Sequence, residues 1–468
     1  MDTATIVLLA LVSYKAVLIA VGWWASQRNQ SDLDFFLGGR QLGPWVAGIS
    51  YSASASSAWT LLGLSGAAYT LGLSVIWVAL GSISGMFIAW YFIARRLRMA
   101  SYEHQLLTMT DFFIYDLSDF WRVRIALSIS VIVLFSFVFY VAAQFQGAGT
   151  AFADTFEMPR TEAILLGALI VLIYTWLGGF WAVSLTDAIQ GTVMAAAAIL
   201  LPLAAWHFIG GFHGFVEGLV AVSTPEQLSF SAGNGLLLGG GVILGGLSIG
   251  LGTYGQPHLI VRFMALRDDA ARRQAALITA VWYVIVFVGM VFVGLAGRII
   301  NTELVDSERV FFDVANNVFP GLLAGLITAA VLSAIMSTAD SQLLVSASVL
   351  SHDLKLEQRF PQARLLIGRL AVLAVVVVAT LVALFVPAQI FARVLFAWVA
   401  LGAAFGPLLF ARLLRWQIPP RAQLAGIWLG FGLAIILSWL PNTAGDVAER
   451  LLPFAIHFLF LFLMRCRA

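Results

Sequence analysis

The sequence predicts an all-α polytopic membrane protein with about 13 membrane-crossing helices, and three observations lead to that class. Of its 468 residues, 61% are hydrophobic and only 11% charged, with a mean hydropathy of +0.95, whereas soluble domains carry roughly 25% charged residues. The apolar residues fall in stretches close to the ~20 residues that cross a ~30 Å hydrocarbon core. Basic residues collect in alternate connections, as they do when Lys and Arg are retained on the cytoplasmic side.

The stretches run over 5–25, 44–71, 73–95, 123–150, 161–182, 184–206, 234–260, 274–299, 318–347, 363–386, 388–413, 422–441 and 449–464. One set of connections holds twenty Lys and Arg, Arg40, Arg95, Arg122, Arg262 and Arg412 among them, and the other only Arg160, Arg298, Arg309 and Arg450. That asymmetry predicts a multi-pass protein of the cell (inner) membrane, with the N-terminus outside and the C-terminus cytoplasmic. Asp2 stands where a signal peptide would carry basic residues and no small-residue cleavage site follows, so 5–25 reads as a retained helix. No linker separates soluble domains, and 1–468 reads as one domain.

The composition also excludes several functions. A net charge of +2 gives no basic field for nucleic acid. The single Cys466 rules out a disulfide framework and CxxC chemistry, and the six histidines show no metal-ligand spacing. No GxSxG, P-loop or HExxH pattern suggests an enzyme. The partners left are the lipid bilayer and a small solute, with no obligate protein partner indicated.

Two stretches read wrongly for plain membrane helices. Ile49 to Gly66, ISYSASASSAWTLLGLSG, carries Ser50, Ser52, Ser54, Ser56, Ser57 and Thr60. Polar irregularity at membrane depth persists only against protein or a water-lined cavity, so this segment points inward. The seventh stretch has glycines at 235, 239, 240, 241, 245, 246, 250, 252 and 255 and then Pro257, which predicts bending or unwinding. It comes five stretches after the first. Residues 44–206 and 234–413 therefore overlay as two five-helix repeats of opposite orientation, each opening on an interrupted helix, with 5–25 and 422–464 as accessories. In secondary transporters, such paired breaks form a substrate and ion site near the midplane, and the half-helix N-termini receive a substrate carboxylate. The plainer reading, small residues for close helix packing, applies to each stretch alone but not to their matched positions.

The ninth stretch ends in VLSAIMSTADSQLLVSAS, where Ser337, Thr338 and Ser341 lie within one helical turn. Hydroxyl and carbonyl oxygens suit a hard cation, and unwound carbonyls at Ala53 and Ser56 would complete a cage; the competing reading is a bond to the hydroxyl's own i−4 carbonyl. Asp187 and Asp340 are intramembrane acids, either cation ligands, proton carriers or helix caps. Lys15 is expected to snorkel or pair locally, and His258 to hold the loop after the second break.

With these residues identified, FFLGGRQLGP, YTWLGGFWAVSLTDAIQ, YGQPHLIVRFMA and IMSTADSQLLVSASVLSHDL resemble the sodium:solute symporter family, nearest its bacterial sodium/proline branch. The resemblance implies a LeuT-type core of two inverted five-helix repeats and inward transport coupled to Na⁺. It implies sodium at the carbonyls of Ala53, Ser56 and Ala334 and the hydroxyls of Ser337 and Thr338. A second cation site would map to Asp187, Asp340 and Ser341. Substrate would lie against Ser57, Ala58, Trp59, Tyr140, Ile249, Thr253, Tyr254 and Pro257. Ala55 replaces an aspartate of that branch, and Ile249 and Thr253 replace a tryptophan and a tyrosine, unless Tyr254 takes over. The expected function is sodium-coupled symport of a small organic solute, an amino acid such as proline. Proton coupling through Asp187 or Asp340 is the alternative within transport. A transporter-like sensor, which no attached kinase or receiver supports, and a passive channel are the others.

Overall fold

The computed structural model describes residues 3–27, 31–156, 158–175, 179–353, 364–386, 388–440 and 443–465. Cys466 and the side chain of Lys15 lie outside what is described. In chain order the helices are α1 (Thr3–Ser26), α2 (Asp32–Leu37), α3 (Pro44–Ala55), α4 (Leu64–Leu71), α5 (Ile76–Ile88), α6 (Ala94–Glu103), α7 (Met109–Ile114) and α8 (Asp119–Phe156). Then come α9 (Arg160–Thr175), α10 (Phe180–Phe208), α11 (Gly211–Val222), α12 (Leu236–Ser248), α13 (Pro257–Met264), α14 (Asp269–Ile300), α15 (Val310–Val318) and α16 (Gly321–Ser348). Four more follow, Arg364–Phe385, Ile390–Leu413, Pro420–Ser438 and Val447–Met464.

Among the described residues, 10 helical runs are long and apolar enough to cross a membrane, against the 13 expected. The difference lies in how the chain turns. Trp59–Glu103 counts as one 45-residue run, but α4 ends at Gly72 with φ 68° and α5 starts beyond it, so this run takes in both the second and the third stretch. α9 has only 16 residues.

Both expected interruptions are present. α3 starts on Pro44, whose fixed φ and missing N–H cost nothing in a first turn. It stops at Ser56, which is extended, and helix resumes as a π turn over Trp59–Gly63 before α4. The N–H groups released by this break find side-chain partners: Ala58 donates to Gln144 Oε1 at 3.1 Å and Trp59 to Ser57 Oγ at 3.1 Å. In the second, α12 gives way to a tight turn over Ile249–Gly255 and an extended Gln256, and Pro257 starts α13. Here Trp398 Nε1 donates to the Ile249 carbonyl at 2.9 Å, and Gln256 Nε2 to those of Gly252 and Trp398. A Cβ on Gly255 would lie 2.0 Å from the Leu401 carbonyl, so glycine lets this turn rest backbone to backbone on the helix Ile390–Leu413.

The far ends of the two breaks are joined. Leu42 N–H donates to the Ala265 carbonyl, and its own carbonyl accepts from Arg267 N–H, both at 3.1 Å. α3 packs on α10 and α14, and α16 on α10 and α8, which surrounds the first break with helices. At the opposite end Glu308 accepts from the N–H groups of Ile390 at 3.0 Å and Phe391 at 2.8 Å, satisfying donors that a helix start leaves open.

Candidate functional site

The first break and α16 meet oxygen to oxygen. Ser337 Oγ lies 3.1 Å from the carbonyls of both Ala53 and Ala334, and Thr338 Oγ1 lies 3.2 Å from the Ser54 carbonyl and 3.4 Å from that of Ala53. All of these residues are buried. Four of the five expected sodium residues thus converge, and Ser56 is the residue where α3 ends. The donor set is neutral oxygen throughout, the chemistry that fits a bare hard cation stripped of its water.

The expected second cation group is divided differently. Asp187 and Ser341 do meet, with Ser341 Oγ donating to Asp187 Oδ2 at 3.2 Å. Asp340 is elsewhere: it lies on another side of α16, where its Oδ1 accepts from Thr175 Oγ1 at 2.6 Å. In its place stands Arg262, whose Nη2 is 2.6 Å from Asp187 Oδ2, 2.5 Å from Ser54 Oγ and 2.7 Å from Ser341 Oγ. Arg262 counts among the cytoplasmic loop basics by sequence, yet its side chain is 1% exposed.

Beside the break lies a small cavity of about 10 Å³ lined by Ala55, Trp59, Tyr140, Ile249, Thr253 and Trp398, roughly the room of one water. Trp59, Tyr140, Ile249 and Thr253 are thus brought together. Ser57 joins them through the Tyr140 hydroxyl, and Ala58 lies at the break itself. Two expected residues do not reach it. Tyr254 turns its ring onto Phe410 and Phe454 because it sits on the opposite face of the tight turn, so it does not replace the missing aromatics. Pro257 lines a second cavity of about 40 Å³, together with Thr108, Thr110, Arg262, Ser341 and Asp353. Trp59 also stacks on Phe391 at 5.7 Å. The N–H of Phe391 is held by Glu308, which lines a wider hollow.

A model described as the sodium:solute symporter family matches residues 35–430. The chain belongs to the sodium:solute symporter family. The osmoregulated proline transporter OpuE of Bacillus subtilis (strain 168) is 33% identical over 93% of this chain and 89% of its own length. The sodium/proline symporter of Escherichia coli (strain K12) is 33% identical over 94% and 89%. Among solved structures, a Na⁺-coupled sialic acid symporter in a substrate-bound outward-open state superposes with a TM-score of 0.80 at 18% identity, covering all of both chains. MhsT in complex with L-phenylalanine gives 0.57 at 15% identity, over 91% of this chain and 99% of that one. The fold is the LeuT type. This family member is a multi-pass membrane protein and a sodium-coupled secondary transporter of a small solute.

Sequence reasoning missed three features. Arg262 was legible only as an arginine with apolar neighbours on both sides, LIVRFMA. Gln144 and Trp398 carried no signal, because each acts on a break more than 80 residues away. The third is a group at the far end: Asp353 accepts from Thr108 Oγ1 at 3.0 Å and Thr110 Oγ1 at 2.6 Å, and Asp111 meets His352 at 3.4 Å. These residues lie about 240 positions apart, beyond any spacing rule. His258 packs its ring against Phe137 and Tyr140.

Proposed function

We propose that the chain carries L-proline, or an amino acid of similar size, into the cell on the inward sodium gradient. The observation that carries this reading is the convergence of Ala53, Ala334, Ser337 and Thr338 across an unwound helix. Na⁺ docked there ties α3 to α16, and α3 leads directly into Ser57, Ala58 and Trp59 at the cavity. Ion and solute therefore strengthen each other's binding, reciprocally. Proline as cargo is supported by the two relatives, which are named for it, and by a cavity walled by Trp59, Tyr140 and Trp398. Gln144 Oε1 and Ser57 Oγ already sit on the N–H groups of Ala58 and Trp59. They hold the place of a substrate carboxylate, which displaces them on binding. A volume of about 10 Å³ is too small for an amino acid, so side chains move to admit the solute.

The remaining assignments follow. Residues 44–206 and 234–413 form the two inverted repeats, with 5–25 and 422–464 as accessories. The N-terminus is outside and the C-terminus cytoplasmic, which puts the cavity of Arg262 and Asp353 on the cytoplasmic side. Sodium is favoured over protons because Asp187 is already paired with Arg262.

Proteoliposomes containing the purified chain test this with radiolabelled L-proline. An imposed Na⁺ gradient should drive uptake above equilibrium, and a pH gradient in sodium-free buffer should not. Accumulation on the pH gradient alone would overturn the coupling ion. Sodium-driven uptake of a different amino acid, with proline failing to compete, would overturn the cargo.

A further inference from the structure

The site that resemblance assigns to a second cation is filled by the chain's own guanidinium. Arg262 extends from α13, held by a bond from Nη1 to the carbonyl of His258. Its Nη2 has three oxygens at 2.5 to 2.7 Å, from Ser54, Asp187 and Ser341, and its Nε has Ser50 Oγ at 2.9 Å. These four residues come from α3, α10 and α16. The three hydroxyls lie within hydrogen-bond distance of the arginine, and each donates to Asp187 Oδ2, Ser50 at 3.1 Å, Ser54 at 2.9 Å and Ser341 at 3.2 Å.

Charge and access settle what else can bind there. The arginine and aspartate side chains are 1% and 0% exposed, and an arginine does not give up its proton. The pair is neutral. A Na⁺ added beside it would place two like charges a few ångströms apart without water to screen them. The other carboxylate oxygen, Asp187 Oδ1, receives no hydrogen bond among the described residues. It is the oxygen a small cation would take once the guanidinium is gone.

We propose that Arg262 is a built-in cation that occupies the cage of Ser50, Ser54, Asp187 and Ser341, so that this chain binds one Na⁺ rather than two. The inference builds on the sodium reading above. In this arrangement Asp187 acts as the fixed counter-charge that keeps α3, α10, α13 and α16 together on the cytoplasmic side. The main site between Ala53 and Thr338 alone carries the coupling ion.

The test is the number of ²²Na⁺ ions bound per chain, measured by equilibrium dialysis on the full-length protein in nanodiscs. Wild type should bind one, and Arg262→Gln two. Arg262→Lys, which keeps the charge, should bind one. The double variant Arg262→Gln with Asp187→Asn should return to one. Two ions on wild type, or one on a folded Arg262→Gln, would overturn the proposal. Should Arg262→Gln fail to fold, the wild-type and Arg262→Lys counts still decide, because two ions on either refutes it. Ser337→Ala with Thr338→Ala separates the two readings. It should remove the single ion of wild type but leave one on the Arg262→Gln background; an undiminished count in the wild-type background fails the main-site reading and leaves the Arg262 comparison intact.

Discussion

At the scale of single residues, two hydroxyls on α16 hold the coupling argument. Ser337→Ala with Thr338→Ala removes both side-chain oxygens that face Ala53. Each ligand is worth about 1 kcal/mol or more, so the sodium concentration for half-maximal proline uptake should rise at least about tenfold. An unchanged sodium dependence would remove the site from the mechanism. Asp111 makes a different prediction, about stability. Burial pushes its carboxyl up, but His352 and the N–H groups of Leu107 and Thr108 outweigh that and hold it below the ordinary carboxylate range. A depressed folded-state value contributes stability that is complete above about pH 4 and lost as pH falls through the lower value. Asp111→Asn should therefore lower Tm at neutral pH, and its deficit should shrink in acid. A deficit that stays constant with pH would show that the charge of Asp111 is not what matters.

At the scale of elements, glycine decides which helices can touch. A Cβ on Gly191 of α10 would meet Ile49 Cγ2 at 2.6 Å and the Ala53 Cβ at 2.9 Å. Gly191→Ala should push α3 away from α10, moving the Ala53 carbonyl that faces α16. The expected cost is about 1–3 kcal/mol of stability, as for other overpacked contacts, together with weaker sodium dependence of uptake. Gly240, on α12, has nothing within 4 Å of its Cβ position. Gly240→Ala should be neutral or slightly stabilising by thermal unfolding in the same detergent. A sequence run of nine glycines thus mixes positions that the packing requires with positions that it does not.

At the scale of the whole molecule, the inverted repeat fixes which loops share a side of the membrane. With one cysteine in the chain, a Cys466→Ser background leaves no thiol, and sidedness can be read from introduced ones. Glu226→Cys, in the connection after α11, should react with a membrane-impermeant maleimide on intact cells. Asp119→Cys, at a side chain 95% exposed, should react only after permeabilisation. The reverse pattern would invert the topology and, with it, the cytoplasmic placement of Arg262.

Composition, hydropathy and the spacing of two broken stretches were enough to determine an α-helical membrane transporter with a repeated core. Those are local or periodic properties, since crossing hydrocarbon demands long apolar runs and any departure from them stands out. The same logic exposed Ser337 and Thr338, because unusual hydroxyls at membrane depth need a polar neighbour. The tertiary structure decided which polar groups actually meet. It sent Asp340 to Thr175, Tyr254 onto Phe410 and Phe454, and Pro257 to the second cavity, and it brought Arg262 to Asp187 across 75 positions. A side chain's partner is set by the rotation of its helix against others distant in the chain, and one sequence read alone carries no record of that angle.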